Sequence, residues 1–188
     1  MRNLIFIILL LLIDVNTLKS LDMKICKELT IESQSKINID SIEYKRFLQD
    51  IGKRESSNDY QNDKNLPYWG YYQIGPAVRK TLKVKKTWHE FKIDSIYQDY
   101  VMYRNMKLNE RIIGDDYFNY FIGKNINGIT ITYSGILAAS HLAGATGVKR
   151  FLYSNGETNP HDKFGTKLTD YLQEFSNYEF ELDNVITS

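Results

Sequence analysis

The segment Arg54-Glu55-Ser56-Ser57-Asn58-Asp59-Tyr60 places one carboxylic acid where an amphipathic helix should end, and the aromatic, amide-bearing run Trp69-Gly70-Tyr71-Tyr72-Gln73-Ile74-Gly75-Pro76 follows it closely. A single acid held this way suits glycosidic bond cleavage: it protonates the leaving oxygen, while flat rings and a directed amide grip the sugar. The negative end of a helix and partial burial among aromatic side chains both disfavour ionisation of a carboxyl, the condition a general acid needs. Glu55 is therefore a candidate acid, equally read from its position alone as a solvent-facing helix-end glutamate, with Tyr71, Tyr72 and Gln73 as candidate sugar contacts; Trp69 reads more as packing. Asp59 and Asp63 are candidates for a second carboxylate, equally explained as turn residues.

The elements that must position these groups are helical. Asp40-Ser41-Ile42-Glu43 has the form of a capping box, and Tyr44, Phe47, Leu48 and Ile51 recur at helical spacing, which predicts a helix over about 41–54 with Glu55 at or just past its end. The aromatic run around Gly70 predicts a short β-like turn or hairpin, and Pro76 the first turn of a helix over about 76–83. Further helices are expected at about 93–110, 115–123, 133–143, 145–154 and 167–175, with Gly144 and Gly147 allowing two helices to approach closely. The fold class expected is mainly α, with one small β element beside the groove. The acidic tail 179–188 is weakly patterned and is expected to fray.

At the N-terminus, Met1-Arg2-Asn3 and the uncharged stretch from Leu4 to Ile13 are too short for an ordinary membrane-spanning helix. They read as a secretory signal peptide over residues 1–20, or as an uncleaved interfacial anchor, followed by an arm over 21–39. Export, periplasmic or extracellular, is the expectation. Removing residues 1–20 takes Arg2, Lys19 and Asp14 and leaves a chain of balanced charge, which argues against an electrostatically driven nucleic-acid binder. The single Cys26 forms no internal disulfide, and the three histidines show no metal-ligand spacing, so no metal or cofactor is expected.

Three blocks, in order, resemble the lysozyme-like superfamily, in particular lytic transglycosylases and goose-type or phage-type muramidases. Their catalytic Glu-Ser pair is similar to Glu55-Ser56, their Gly-Leu-Met-Gln turn to Gly70-Tyr71-Tyr72-Gln73, and their Ala-Ala-Tyr-Asn-Ala-Gly helix to Ala139-Ser140-His141-Leu142-Ala143-Gly144. Val148 to Leu152 and the stretch Asn159 to Thr166 extend the likeness, which spans about 45–175. The resemblance implies an α+β lysozyme-like domain over 40–178, peptidoglycan glycan strands as partner, and scission between N-acetylmuramic acid and N-acetylglucosamine with Glu55 as the expected catalytic acid and then base, and Ser56, Tyr71, Tyr72 and Gln73 as expected substrate contacts. His141 stands where many transglycosylases carry a Tyr that contacts the catalytic Glu, and it is either a groove residue or a satisfied packing histidine. Hydrolytic muramidase, catalytically silent glycan binder and chitin-directed enzyme remain the alternatives.

Overall fold

The computed structural model describes residues 38–39, 41–63 and 66–187; the apolar start, Cys26 and the arm up to residue 37 lie outside the described residues. The chain is mostly helical, with two short antiparallel two-stranded sheets. Strand β1 (Asn38–Ile39) pairs with β4 (Ile186–Thr187). Helix α1 (Ile42–Ser56) buries Tyr44, Phe47, Leu48 and Ile51, the stripe that the spacing predicts. Its cap is Ser41, whose hydroxyl accepts from the Tyr44 N–H at 3.2 Å, one residue later than the expected Asp40, itself outside the described residues. The helix ends later too: Ser57 (φ 59°) and Asn58 (φ 67°) turn left-handed, so Glu55 lies inside the last turn and not beyond it.

The segment after α1 forms the small β element. Trp69 and Ile74 form an antiparallel bridge, their N–H groups donating to each other's carbonyls at 3.2 and 2.9 Å. Two glycines make the seat. A Cβ on Gly52 would fall 1.6 Å from the Tyr71 ring, and one on Gly70 (φ 67°) would fall 2.2 Å from the Gln98 amide oxygen. Gln98 is fully buried and works at both ends: its Oε1 accepts from the Tyr71 N–H at 2.8 Å, and its Nε2 donates to the carbonyls of Tyr60 (3.0 Å) and Phe91 (2.9 Å).

Helix α2 (Pro76–Thr81) follows the bridge, and α3 (Trp88–Lys92) is a five-residue turn closed by a capping box between Thr87 and Glu90. Sequence periodicity misses α3 because one and a half turns carry too few apolar repeats. The long α4 (Ser95–Ile113), α5 (Asp115–Phe121) and the hairpin β2 (Asn125–Ile126) to β3 (Ile129–Thr130) lead to α6 (Tyr133–Tyr153). Gly144, at φ 69° and ψ 163°, breaks α6 at the junction expected between two helices. The close helix approach lies elsewhere, however: a Cβ on Gly135 would meet the Leu172 carbonyl oxygen at 2.8 Å, so Gly135 admits α7 (Leu168–Glu174) against α6.

The tail does not fray. Phe180 packs its ring against Tyr44 and Phe47 at centroid distances of 5.0 and 4.8 Å, Leu182 in a 3₁₀ turn (Leu182–Asn184) and Val185 are fully buried, and the Tyr178 hydroxyl donates to Asp50 at 2.6 Å. Three scattered apolar residues, with no period to announce them, carry that burial, and Phe180 among them packs on the α1 stripe. No described helix is long and apolar enough to cross a membrane.

Two substitutions test this frame. Gln98→Leu strands the Tyr71 N–H and the Tyr60 and Phe91 carbonyls in the interior, and each orphaned group costs about 1–3 kcal/mol, so urea unfolding should shift by about 3 kcal/mol or more. Leu182→Ala should lose about 2–5 kcal/mol; an unchanged urea midpoint would mean that the tail is no part of the core.

Candidate active site

Glu55 opens onto a cleft of about 750 Å³ formed by the end of α1, the 68–78 segment, α4, the kinked α6 and the 162–166 loop. Its side chain is 17% exposed, and its Oε1 accepts a hydrogen bond from the Tyr171 hydroxyl on α7. Burial first, and then the adjacent Glu55 carboxylate, push ionisation of Tyr171 well above the ordinary tyrosine range, so that hydroxyl stays a donor. The Arg54 guanidinium lies 4.5 Å over the Tyr171 ring and pairs with Glu174, clamping α7 to the end of α1. With Oε1 engaged by Tyr171, the proton of a protonated Glu55 belongs on Oε2.

His141 is the second group at the acid. Its Nε2 lies 3.7 Å from Glu55 Oε1 and 2.9 Å from the Tyr72 carbonyl oxygen. A carbonyl only accepts, so Nε2 carries the hydrogen and donates to Tyr72; the Asn105 amide lies 3.5 Å from Nδ1 and can donate to it. That arrangement holds the ring from both sides. Asn109, four residues on, donates to the Ser140 carbonyl at 3.3 Å and ties α4 to α6 one turn before the Gly144 break.

Gln73, left-handed at φ 48°, also lines the cleft; its amide nitrogen donates to the Gly70 carbonyl at 2.8 Å, leaving its oxygen as the group for a ligand. The three blocks of the sequence thus converge: Glu55, Gln73 and His141 share one cleft. Ser56, Tyr71 and Tyr72 do not. Ser56 is buried, its hydroxyl donating to the Gly52 carbonyl and accepting from the Asp59 N–H. Tyr71 is buried, stacked on Tyr60 at 4.0 Å, its hydroxyl donating to Asn58 at 2.7 Å. Tyr72 is buried with its hydroxyl on Asp99 at 2.7 Å, and what it offers the site is its carbonyl. The physical reason is the tight turn: with Gln98 holding the Tyr71 N–H from inside, both rings point into the core. Trp69 packs with Trp88 and Phe91 under the Arg79 guanidinium.

Asp59 and Asp63 are exposed and line no part of the cleft, and Asp59 accepts from the Gln61 N–H in its own turn. Besides Glu55, the acidic side chain lining the cleft is Asp162, whose Oδ1 accepts from the Phe164 and Thr166 N–H groups at 2.8 and 2.9 Å. Sequence reasoning missed Tyr171, Asn105 and Asn109. The asparagines carried a signal, two amides four residues apart and so on one face of a helix, whereas Tyr171 looks like any other core aromatic. Among the described residues no three His, Cys, Asp or Glu side chains gather as a metal site.

Behind the site, burial raises the Asp99 carboxyl above its ordinary range, against the opposing pull of the Tyr72 and Tyr60 hydroxyls. The folded protein therefore holds that proton more tightly than the unfolded chain, and the resulting stability is present in acid and lost as pH rises through the folded-state value. The permanently neutral Asp99→Asn should gain in stability relative to the unsubstituted protein as pH rises from acid to neutral. Urea titrations across that range should show the variant's stability minus that of the unsubstituted protein rising, and a constant difference would remove the assignment.

Comparison with protein-family models, with curated proteins and with solved structures returns no match to this chain.

Proposed function

We propose that this chain is an exported peptidoglycan-cleaving glycosidase of lysozyme-like fold, a lytic transglycosylase with Glu55 as its single acid and base. The observation that carries the reading is the carboxyl of Glu55 in a cleft of about 750 Å³, engaged by Tyr171 and flanked by His141, with Asp162 spent on its own turn. A helical body with a β bridge beside the cleft, and the convergence of Glu55, Gln73 and His141, are what the resemblance to that superfamily implies.

In this mechanism Glu55 gives its Oε2 proton to the glycosidic oxygen as the bond from that oxygen to C1 breaks, and the departing sugar leaves with a hydroxyl. Positive charge develops on the ring, where the substrate's own N-acetyl oxygen stabilises it. The carboxylate of Glu55 then takes the proton of the 6-hydroxyl as O6 bonds to C1. The proton returns to Glu55 and no water is consumed, so one carboxylate suffices, whereas hydrolysis by two carboxylates needs a second one free to activate water or trap the sugar. The Tyr171 hydroxyl holds Oε1 throughout, and the His141 ring, fixed by the Tyr72 carbonyl, limits the swing of the acid.

Incubated with purified sacculi, the full chain should release soluble fragments ending in anhydro sugars, lighter by one water than hydrolysed ends. Glu55→Gln should slow release by roughly 10²–10⁴-fold while leaving the circular dichroism unchanged. Hydrated ends would make the enzyme a muramidase, binding without release would make it a glycan-binding module, and an active Glu55→Gln would overturn the assignment of the acid.

A further inference from the structure

The 159–169 segment is built to present a tip. Asn159 and Thr169 exchange hydrogen bonds at its base (2.9 and 3.3 Å), His161 and Lys167 form an antiparallel bridge, and the Asp162 N–H donates to the Thr166 carbonyl at 3.0 Å. Asp162 Oδ1 gathers the Phe164 and Thr166 N–H groups, and Gly165 (φ 87°) donates its N–H to the Asp162 carbonyl at 3.2 Å. With its backbone so tied, the turn holds Lys163 and Phe164 out at the cleft, and Phe164 is 77% exposed.

Tyr68, 39% exposed, reaches the cleft from the other segment, resting on Gly75, where an added Cβ would lie 3.3 Å from its ring. The Lys163 ammonium spans both rings, 5.9 Å from the Tyr68 centroid and 4.7 Å from the Phe164 centroid, so the two aromatics flank one gap with a cation over it. The other cleft guanidinium or ammonium, Arg54, is committed to Glu174 and Tyr171. Among the described residues Lys163 has no carboxylate partner.

Two aromatic rings flanking an unpaired cation suit a ligand with an apolar ring face and a carboxylate attached to it. We infer that Lys163, with Phe164 and Tyr68, is the specificity element of this cleft, selecting N-acetylated glycans that carry a carboxylate, on the sugar or on a peptide attached to it, over neutral ones. The inference rests on the glycan-cleaving reading and deepens it. Phe164 and Tyr68 stack on the sugar; Lys163 reads the acid, whether that is the ether-linked carboxyl on the sugar or one on an attached peptide.

The test is binding without turnover, in full-length protein carrying Glu55→Gln. Three probes are used: solubilised peptidoglycan strands with their peptides, the same strands after enzymatic removal of the peptides, and an uncharged chitin hexasaccharide. Lys163→Gln should weaken binding of one or both of the first two by about 5- to 10-fold with chitin binding unchanged, and Lys163→Arg should keep the preference. Phe164→Ala should weaken all three. The preference should shrink with added salt. A loss confined to the peptide-bearing strands would place the recognised acid on the peptide; a loss confined to the peptide-free strands, where removal of the peptide frees the ether-linked carboxyl from its amide, would place it on the sugar; a loss on both would mean that Lys163 reads either. Equal effects of Lys163→Gln on charged and neutral probes, or none, would overturn the inference while leaving the glycan-cleaving reading intact. Failure of the unsubstituted tip to bind any of the three would overturn both.

Discussion

The site depends on a single buried amide. Gln98 satisfies three backbone groups from three segments, the Tyr71 N–H and the carbonyls of Tyr60 and Phe91, and so fixes the turn between Trp69 and Ile74 against α4. Everything nearer the acid inherits that placement. The Tyr72 carbonyl, one residue along, sets the tilt of His141; Gln73, two residues along, is left in a left-handed conformation at the cleft. An amide serves here because it donates and accepts at once without charge, where a buried carboxylate or ammonium would carry a desolvation cost.

Much of the scaffold was legible in the sequence, and the misses share a cause. The stripe on α1, the Pro76 start and the split at Gly144 follow from local rules, namely spacing, capping and φ. The convergence of Glu55, Gln73 and His141 was visible through ordered blocks. What failed was the direction of side chains within a tight turn: Tyr71 and Tyr72 looked like sugar platforms, and the Gln98 contact that turns them inward comes from 27 residues away. Tyr171 and Tyr178, 116 and 128 residues from their partners Glu55 and Asp50, are equally beyond any local window. The tail was misjudged because its burial lies in three apolar side chains, with no repeat.

The proposed chemistry asks little of the protein beyond position. A single acid that recovers its proton within one cycle needs a fixed oxygen and a free one, and the Tyr171 hydroxyl divides Glu55 in that way. The polar lining also comes from different elements: an acid from the end of α1, amides from α4 and the turn, an imidazole from α6, a phenol from α7. Rigid helices supply most of it, which favours precision over adaptability.

Joining α1 to groups more than a hundred residues downstream has a kinetic consequence. High contact order slows folding, because long loops must close before the contacts that reward closure exist. While the chain emerges from the ribosome, Phe47 on the apolar stripe of α1 waits for Phe175, Tyr178 and Phe180, and Glu55 waits for Tyr171. The acid therefore acquires its partner among the last steps of assembly, and a nascent chain ending before α7 carries Glu55 without the group that orients it.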